Sequence, residues 1–342
     1  MQTLKTLLKI SLKLAISIVL LILIAIFILS SLHEDMSQFD DEFVESLPLD
    51  QGDVSVRFMG NTNLLFSDGN TSVLIDGWFS RPSLLSLALR DIEPDLTAID
   101  NAFERAEIRD IDVIATVHSH YDHAMDSPEV AKRTGAILLG SESTANIGRG
   151  WGLVEEQILV AQNGTPYRFG EFTITMIPSS HFEFPNAQLN EATHGDIYIT
   201  EPLTPPAKVS DYKMGGAYSV YIQHPKGNVL VQGSAGFIPN SLNDLDVDIA
   251  FLGVGGLNSQ PAEYQNAYWQ HSVMAVNPEL IYPVHWDSLT DELGDKPHMP
   301  DLLISNLLKF SSRVTLEQTF DAAAKAEIEI GLLPMWQPIK LF

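Results

Sequence analysis

Ile111-Asp112-Val113-Ile114-Ala115-Thr116-Val117-His118-Ser119-His120-Tyr121-Asp122-His123 is the stretch on which the reading of this chain turns. Its first seven residues are mostly apolar and β-branched, which predicts a buried strand. The next six bring three imidazoles and one carboxylate together. Such groups pack poorly in a core, but they are suitable ligands for zinc, manganese and iron alike. The end of a strand is also where α/β folds gather their sites. In an extended or looping segment His118 and His120 point the same way, while Asp122 and His123 can turn toward a second ion.

On either side of this stretch, strand-like and helix-like segments alternate. Val54–Phe58, Asn63–Phe66 and Val73–Ile75 read as short strands separated by Gly, Asn and Asp turns, and Leu84–Leu89 as a helix after Pro82. Ser127-Pro128-Glu129 predicts a helix start, with Ser127 as N-cap and Pro in the first turn. Further on, Phe172, Ile174 and Met176 alternate with Thr173 and Thr175, as in a half-buried strand. Val229–Val231, Ile249–Leu252 and Leu280–Val284 are short apolar runs, and Pro261–Val276 between the last two reads as a helix. The fold class is α/β with mixed strand pairing. Phe182–Gly215, rich in Pro, Asn, Glu and Thr, reads as a long loop insertion of the kind that is functional or mobile.

The His-x-His-x-Asp-His pattern at 118–123 resembles the signature of the metallo-β-lactamase-fold hydrolases, an αββα sandwich with a metal site along one edge. The resemblance extends over most of residues 54–340. Asn61-Thr62-Asn63-Leu64-Leu65, followed by Val73-Leu74-Ile75-Asp76-Gly77, is similar to the family's opening strands and its first characteristic Asp. This implies that Asp76 supports the metal loop through hydrogen bonds and does not bind metal. His181, after Ile177-Pro178-Ser179-Ser180, falls where the family places its third His ligand. His285, within Tyr282-Pro283-Val284-His285-Trp286-Asp287, falls where it places the last. The resemblance therefore implies one ion on His118, His120 and His181 and another on Asp122, His123 and His285.

One departure bears on the metal count. Where many members carry an Asp that bridges both ions, this chain has Ser234, in Gly233-Ser234-Ala235-Gly236. A neutral hydroxyl is a poor zinc ligand. Two occupancies stay open, a pair of ions bridged only by hydroxide or a single ion in practice, with a metal-free protein as a third case that six retained ligands argue against. Two divalent ions, one ionised Asp122 and one hydroxide leave about +2 on the site, against about +1 with a bridging carboxylate. Such a site is expected to favour anionic substrates or transition states. Zn2+, one or two ions, is the expected cofactor, with Mn2+ or Fe2+ as alternatives.

Among other residues, Asp287 is a candidate to orient His285 from behind, as ligating His usually requires. His271, with Tyr268 and Trp269 on the expected helix, reads as helix surface or core with a lesser candidacy for the site. His194 and His224 read as ordinary polar residues, and His298 has no partner visible in the sequence. Gly253-Val254-Gly255-Gly256 lacks the spacing and the Lys-Ser/Thr of a phosphate-binding loop, so close backbone packing beside the site is expected there.

From Leu14 to Leu32 no residue is charged, about the ~20 residues a helix needs to cross a bilayer core. An uncleaved anchor, a signal peptide and a core helix are the competing readings. The length of the run and the poor cleavage signal at Ile28-Leu29-Ser30-Ser31 favour the anchor. Lys5, Lys9 and Lys13 precede the run and acidic residues follow it, so the positive-inside rule keeps the N-terminus cytoplasmic and exports the rest. The expected organisation is a cytoplasmic 1–13, a transmembrane 14–32, an acidic linker 33–53 and a hydrolase domain 54–342, held on the inner membrane and facing the periplasm.

With 20 Lys and Arg against 44 Asp and Glu, the net charge is −24, which disfavours nucleic acid as a partner. The chain has no Cys, so disulfides, thiolate metal sites and lipidation at cysteine are excluded. The expected activity is metal-assisted hydrolysis, with hydroxide attacking a carbonyl or phosphoryl centre and Asp122 acting as both ligand and orienting group. Gly233–Gly236, Gly255-Gly256 and Pro283–Trp286 resemble the branch that holds the ascorbate-pathway lactonase and the N-acyl-phosphatidylethanolamine phospholipase D. A phosphodiester, lactone or amide, as a small molecule or a lipid derivative, is the expected substrate class. The competing reading is an extracytoplasmic metal- or partner-binding module without turnover.

Overall fold

Two seven-stranded sheets form the centre of the molecule. The computed structural model describes residues 2–184, 190–191 and 197–342, so His194 and part of the expected loop insertion lie outside the described residues. The first sheet has the order β14-β1-β2-β3-β4-β5-β6, with β1 Ser55–Phe58, β2 Leu64–Ser67, β3 Ser72–Ile75, β4 Val113–Ala115, β5 Ile137–Gly140, β6 Ile158–Val160 and β14 Pro338–Lys340. The second has the order β13-β12-β11-β10-β9-β8-β7, with β7 Pro166–Phe169, β8 Phe172–Ser179, β9 Ala217–His224, β10 Gly227–Gln232, β11 Ile249–Gly253, β12 Leu280–Val284 and β13 Glu329–Ile330. Each sheet begins with antiparallel pairing and changes to parallel, at β3–β4 in the first and at β10–β11 in the second. The loops after β4 and β12, at the ends of parallel strands, and after the antiparallel β8 supply the six metal-ligand candidates, with the loops after β10 and β11 beside them.

The sheets face each other across one apolar core. Val56, Phe66, Val113 and Leu139 of the first meet Ile174, Val220, Val231 and Phe251 of the second, all buried. Phe66 and Phe251 meet edge to face across the interface, ring centroids 5.3 Å apart. Along β8, Phe172, Ile174 and Met176 are buried while Thr173 and Thr175 are half-exposed, the expected alternation.

Helices cover the outer faces. Those on the first sheet's side are α3 (Leu96–Arg105), α5 (Ser127–Thr134) and α6 (Glu142–Trp151), which bury Ile99, Val130 and Ile147 respectively. Behind the second sheet, Ala250, Leu252 and Ile281 pack with Tyr268 of α7 (Ala262–Trp269) and Leu316 of α9 (Ser312–Ala326). The remaining helices are the N-terminal α1 (Gln2–Ser30), α2 (Leu84–Leu89), the single turn α4 (Tyr121–Ala124) and α8 (Leu302–Leu308).

Three local expectations are corrected. The strand expected over 111–117 is regular only at Val113–Ala115; beyond it Thr116 N–H still donates to Leu139 O at 2.9 Å, but Val117 N–H is taken by the Asp76 side chain. Asp126, not Ser127, is the N-cap residue of α5, and its side chain is drawn elsewhere, as described below. The helix expected over 261–276 is α-helical only to Trp269 and continues as a π-helical turn, Gln270–Met274.

The segment 33–53, expected as a linker, is packed against the domain. Phe39 is buried in the second core with Leu316 and Leu332. Val44 N–H donates to Leu332 O and Leu332 N–H donates to Glu42 O, at 2.9 and 2.8 Å. Glu34 caps α9 by accepting from Arg313 N–H at 2.8 Å. One buried aromatic is enough to fasten an acidic segment whose composition reads as solvated.

Candidate metal centre

Past β4 the chain leaves the sheet, and Asp76 holds the exit. Its Oδ1 accepts from Val117 N–H at 2.9 Å, and Ser119 N–H donates to Met214 O at 2.9 Å. His118 and His120 then project together, Nε2 of one 3.1 Å from Nδ1 of the other. Backbone φ −61° and ψ 157° put His120 just outside the turn α4, which carries Asp122 and His123 into the interior. His181 arrives from the end of β8, its ring 4.7 Å from each of the other two. The Nδ1 of His181 lies 2.6 Å from Phe182 O; a carbonyl only accepts, so Nδ1 carries the proton and Nε2 keeps its lone pair.

His285 follows β12 in the left-handed region, φ 60°, and its N–H donates to Asn61 O at 3.0 Å. Nε2 of His285 and Nε2 of His123 each lie 3.4 Å from Asp122 Oδ2. A Cβ on Gly255 would come within 2.6 Å of His285 Nδ1, the close backbone approach expected there. Two groups result, His118 with His120 and His181, and Asp122 with His123 and His285. In each group the possible donor atoms all lie within 4.8 Å of one another.

The donor set fits divalent cations. His123 Nδ1 and Asp76 Oδ2 are 2.7 Å apart, both side chains fully buried, which fixes the ring's tautomer and leaves His123 Nε2 as a buried atom without a hydrogen-bond partner. Burial, aided by the repulsion of neighbouring imidazoles, holds His118 well below its ordinary pKa, the neutral form that ligates. Burial alone would raise Asp122, but His123 and His285 outweigh it and keep the carboxylate ionised. Burial would likewise depress His123, and here Asp122 and Asp76 win and raise it.

Of the other residues singled out in the sequence, Asp76 stands in the supporting position described, and its Oδ2 also accepts from Thr62 Oγ1–H. Ser234 Oγ accepts from Phe182 N–H at 3.0 Å, so the hydroxyl standing in the bridging position ties down the loop after His181. Asp287 does not reach the His285 ring by any described hydrogen bond. Its oxygens accept from Asn61 N–H at 2.8 and 3.0 Å, and Asn61 in turn receives the backbone of His285 and donates through Nδ2 to Asp122 O at 2.6 Å. His271 sits in the π-helical turn and stacks on Phe237, ring centroids 5.3 Å apart, and Phe237 O accepts from Ser180 Oγ–H next to His181.

Two residues, the buried Asp126 and the half-buried Arg81, escaped the sequence reading. Asp126 accepts from Phe79 N–H, Ser80 N–H and Ser80 Oγ–H at 2.7, 2.6 and 2.8 Å, binding the turn after Asp76 to the motif loop. Burial pushes its carboxyl up to about 6 against those donors. Arg81 lies over the Trp78 ring at 3.8 Å among Asp287, Asp126 and Asp122, and burial brings its guanidinium down to about 10. The spacing of Asp126 after His123 was a usable signal, but an Asp before Ser-Pro-Glu reads first as part of a helix start.

The model of the β-lactamase superfamily domain matches residues 71–286, more than half of the chain. The chain belongs to this superfamily. Its two-sheet, helix-flanked architecture is the metallo-β-lactamase fold. Among curated relatives, the UPF0173 metal-dependent hydrolase of Pyrobaculum islandicum is 23% identical over 240 residues, spanning 69% of this chain and 85% of its own. That of Myxococcus xanthus is 25% identical over 259 residues, 71% of this chain and 77% of its own. Among solved structures, Igni18, a metallo hydrolase of Ignicoccus hospitalis, is 17% identical with a TM-score of 0.47, covering 84% of this chain and 98% of that one.

Proposed function

We propose that this superfamily member is a membrane-anchored metal-dependent hydrolase acting on a phosphodiester, lactone or amide bond in a small or lipid-derived substrate. The observation that carries the reading is the pair of candidate ligand groups, six side chains from three separate loops meeting at one end of the two sheets, each group with one ligand atom per residue within 4.8 Å. Zinc is the favoured ion, with manganese or iron also suited to imidazole and carboxylate. A divalent ion bound there lowers the pKa of water toward ~7 and stabilises a developing oxyanion.

The residues of the chain supply the rest. His118, His120 and His181 would hold one ion through imidazole nitrogens. Asp122, His123 and His285 hold the other, and Asp122 brings the only carboxylate into the two groups. Asp122 Oδ2, 3.4 Å from the Nε2 of both His123 and His285, is the group placed to ligate and to orient the nucleophile. Asp76 keeps His123 in its ligating tautomer. Ser234 brings no charge, so the loaded site stays strongly positive and favours substrates that are anionic or become so. The anchor is the apolar run Lys9–Ser30, long enough to cross a membrane, with the catalytic region 54–342 on the exported side.

The test combines metal content by mass spectrometry with a screen of generic phosphodiesters, lactones and a chromogenic β-lactam, repeated on His120→Ala and after chelation. Activity on one substrate class that His120→Ala and chelator both abolish is the expected result. Undiminished activity in either would sink the proposal, and bound metal without turnover on any class would favour the non-catalytic module.

A further inference from the structure

Helix α8, Leu302–Leu308, has the sequence Leu-Leu-Ile-Ser-Asn-Leu-Leu, five of whose seven residues are Leu or Ile. The only residue it buries is Ser305. Leu307 is 67% exposed, and its other Leu and Ile side chains are half-buried. A core helix turns its apolar stripe inward. This one fully buries none of its five apolar side chains and leaves Leu307 in the open, with Phe310 half-buried just beyond.

The neighbour that explains this surface is α1. Leu302 N–H, the first amide of α8, donates to Leu32 O at 2.7 Å, His33 bridges to Asp301, and the two helices are in contact. The apolar run Lys9–Ser30 has 22 residues. At the helical rise this is ~33 Å, close to the thickness of the hydrocarbon layer. With α1 across a bilayer, Leu32 stands at the membrane–water boundary, and α8 is tied to that level.

We propose that α8 is an interfacial membrane contact, with the acyl-chain and headgroup boundary of the bilayer as its partner, bedding the domain on the lipid beside its anchor. The inference rests on the anchor reading of α1. Burying exposed Leu side chains at such a boundary is favourable in the manner of amphipathic interfacial helices. Lys309, exposed directly after α8, can snorkel toward lipid phosphates. Glu34, Asp35, Asp291 and Asp301 lie around the junction, so the attraction is apolar and not electrostatic. The contact also sets the orientation of the site. His33 holds Asp291 at 3.0 Å, on the loop that begins with the ligand His285, so this ligand loop rides next to the lipid surface.

The chain has no Cys, so single labels can be placed by substitution. Full-length Leu307→Cys, Leu20→Cys and Asn70→Cys, each carrying an environment-sensitive fluorophore, are reconstituted in phosphatidylcholine vesicles containing doxyl-labelled lipid. Asn70 is exposed on the β2–β3 turn, at the far end of the strands from the metal centre. Lipid quenching at 307 is expected to exceed that at 70 by roughly threefold, and to survive high salt. Quenching at 307 equal to that at 70, with Leu20 strongly quenched, overturns the contact and leaves the anchor standing. An unquenched Leu20 label overturns the anchor reading and the contact with it. If Leu307→Cys does not fold, Asn306→Cys on the same exposed turn gives the same readout.

Discussion

The two candidate ligand groups at the end of the sheets are built differently. Asp122 and His123 are buried side chains on one helical turn, and buried bonds through Asp76, Thr62 and Asn61 tie them back to the β1–β2 and β3 turns. The triad of His118, His120 and His181 is all imidazole. Its third member comes from a loop fixed by Ser234 Oγ on the Phe182 amide and adjoins residues outside the described part of the chain. One group is thus organised before a cation arrives, with a fixed negative charge. The other, with the buried His118 held below its ordinary pKa by burial and by its imidazole neighbours, depends more on the cation to complete it. Preorganisation follows the buried hydrogen bonds, not the number of ligands.

The sharpest way to break this contrast is to remove the charge. Asp122→Ala should cost on the order of 10^3-fold in kcat/KM and empty its own group, while metal analysis still finds the ion on the His triad. Loss of both ions together would mean that the groups do not act separately. Asp76→Asn is next: an amide cannot accept the His123 Nδ1 proton through its nitrogen, so the affinity of that group alone should fall about 10–100-fold. Equal weakening at both groups in a competition titration would contradict the contrast.

Ser234→Asp adds the missing carboxylate between the groups. It should hold metal more tightly and bind anionic inhibitors roughly fivefold more weakly, through the lost positive charge. Inhibition constants that do not weaken would refute the charge argument.

The smallest effects are in the pH dependence of the chelated protein's stability. The folded-state pKa of His118 lies below its ordinary 6.5, so its contribution is intact above that pH and is lost as pH falls toward the lowered value. That of His123 is raised, so its contribution is present below 6.5 and is lost as pH rises through the raised value. Thermal unfolding in chelator over about pH 5 to 8 should lose its acid-side decline in His118→Asn and its alkaline-side decline in His123→Asn. Identical pH profiles for the two variants would erase the distinction.

Much of this arrangement is legible before any coordinates. A β-branched run that stops at His-Ser-His-Tyr-Asp-His marks both a strand end and a ligand cluster, because four metal-binding side chains crowd into six positions. His181 and His285 carry no such local signal, and only their place in a family-like pattern marks them. The supporting roles of Asp126 and Arg81 are harder still to read, since a buried carboxylate that holds a turn forty-six residues away has the sequence appearance of a helix start. Asp287 is read as a partner of His285 because it is near in sequence, whereas its oxygens go to the Asn61 backbone.

The sequence by itself determined the alternation of strand and helix, the identity of the cluster at 118–123 and the apolar N-terminal run, all set by local periodicity and side-chain chemistry. Tertiary structure decided which residues support the candidate ligands, that Ser234 secures a loop, and that segment 33–53 and α8 join the apolar N-terminal helix to the domain. Those outcomes depend on hydrogen bonds and packing between residues far apart in the chain. Such contacts have no fixed spacing, and burial alone decides which polar groups must find one another.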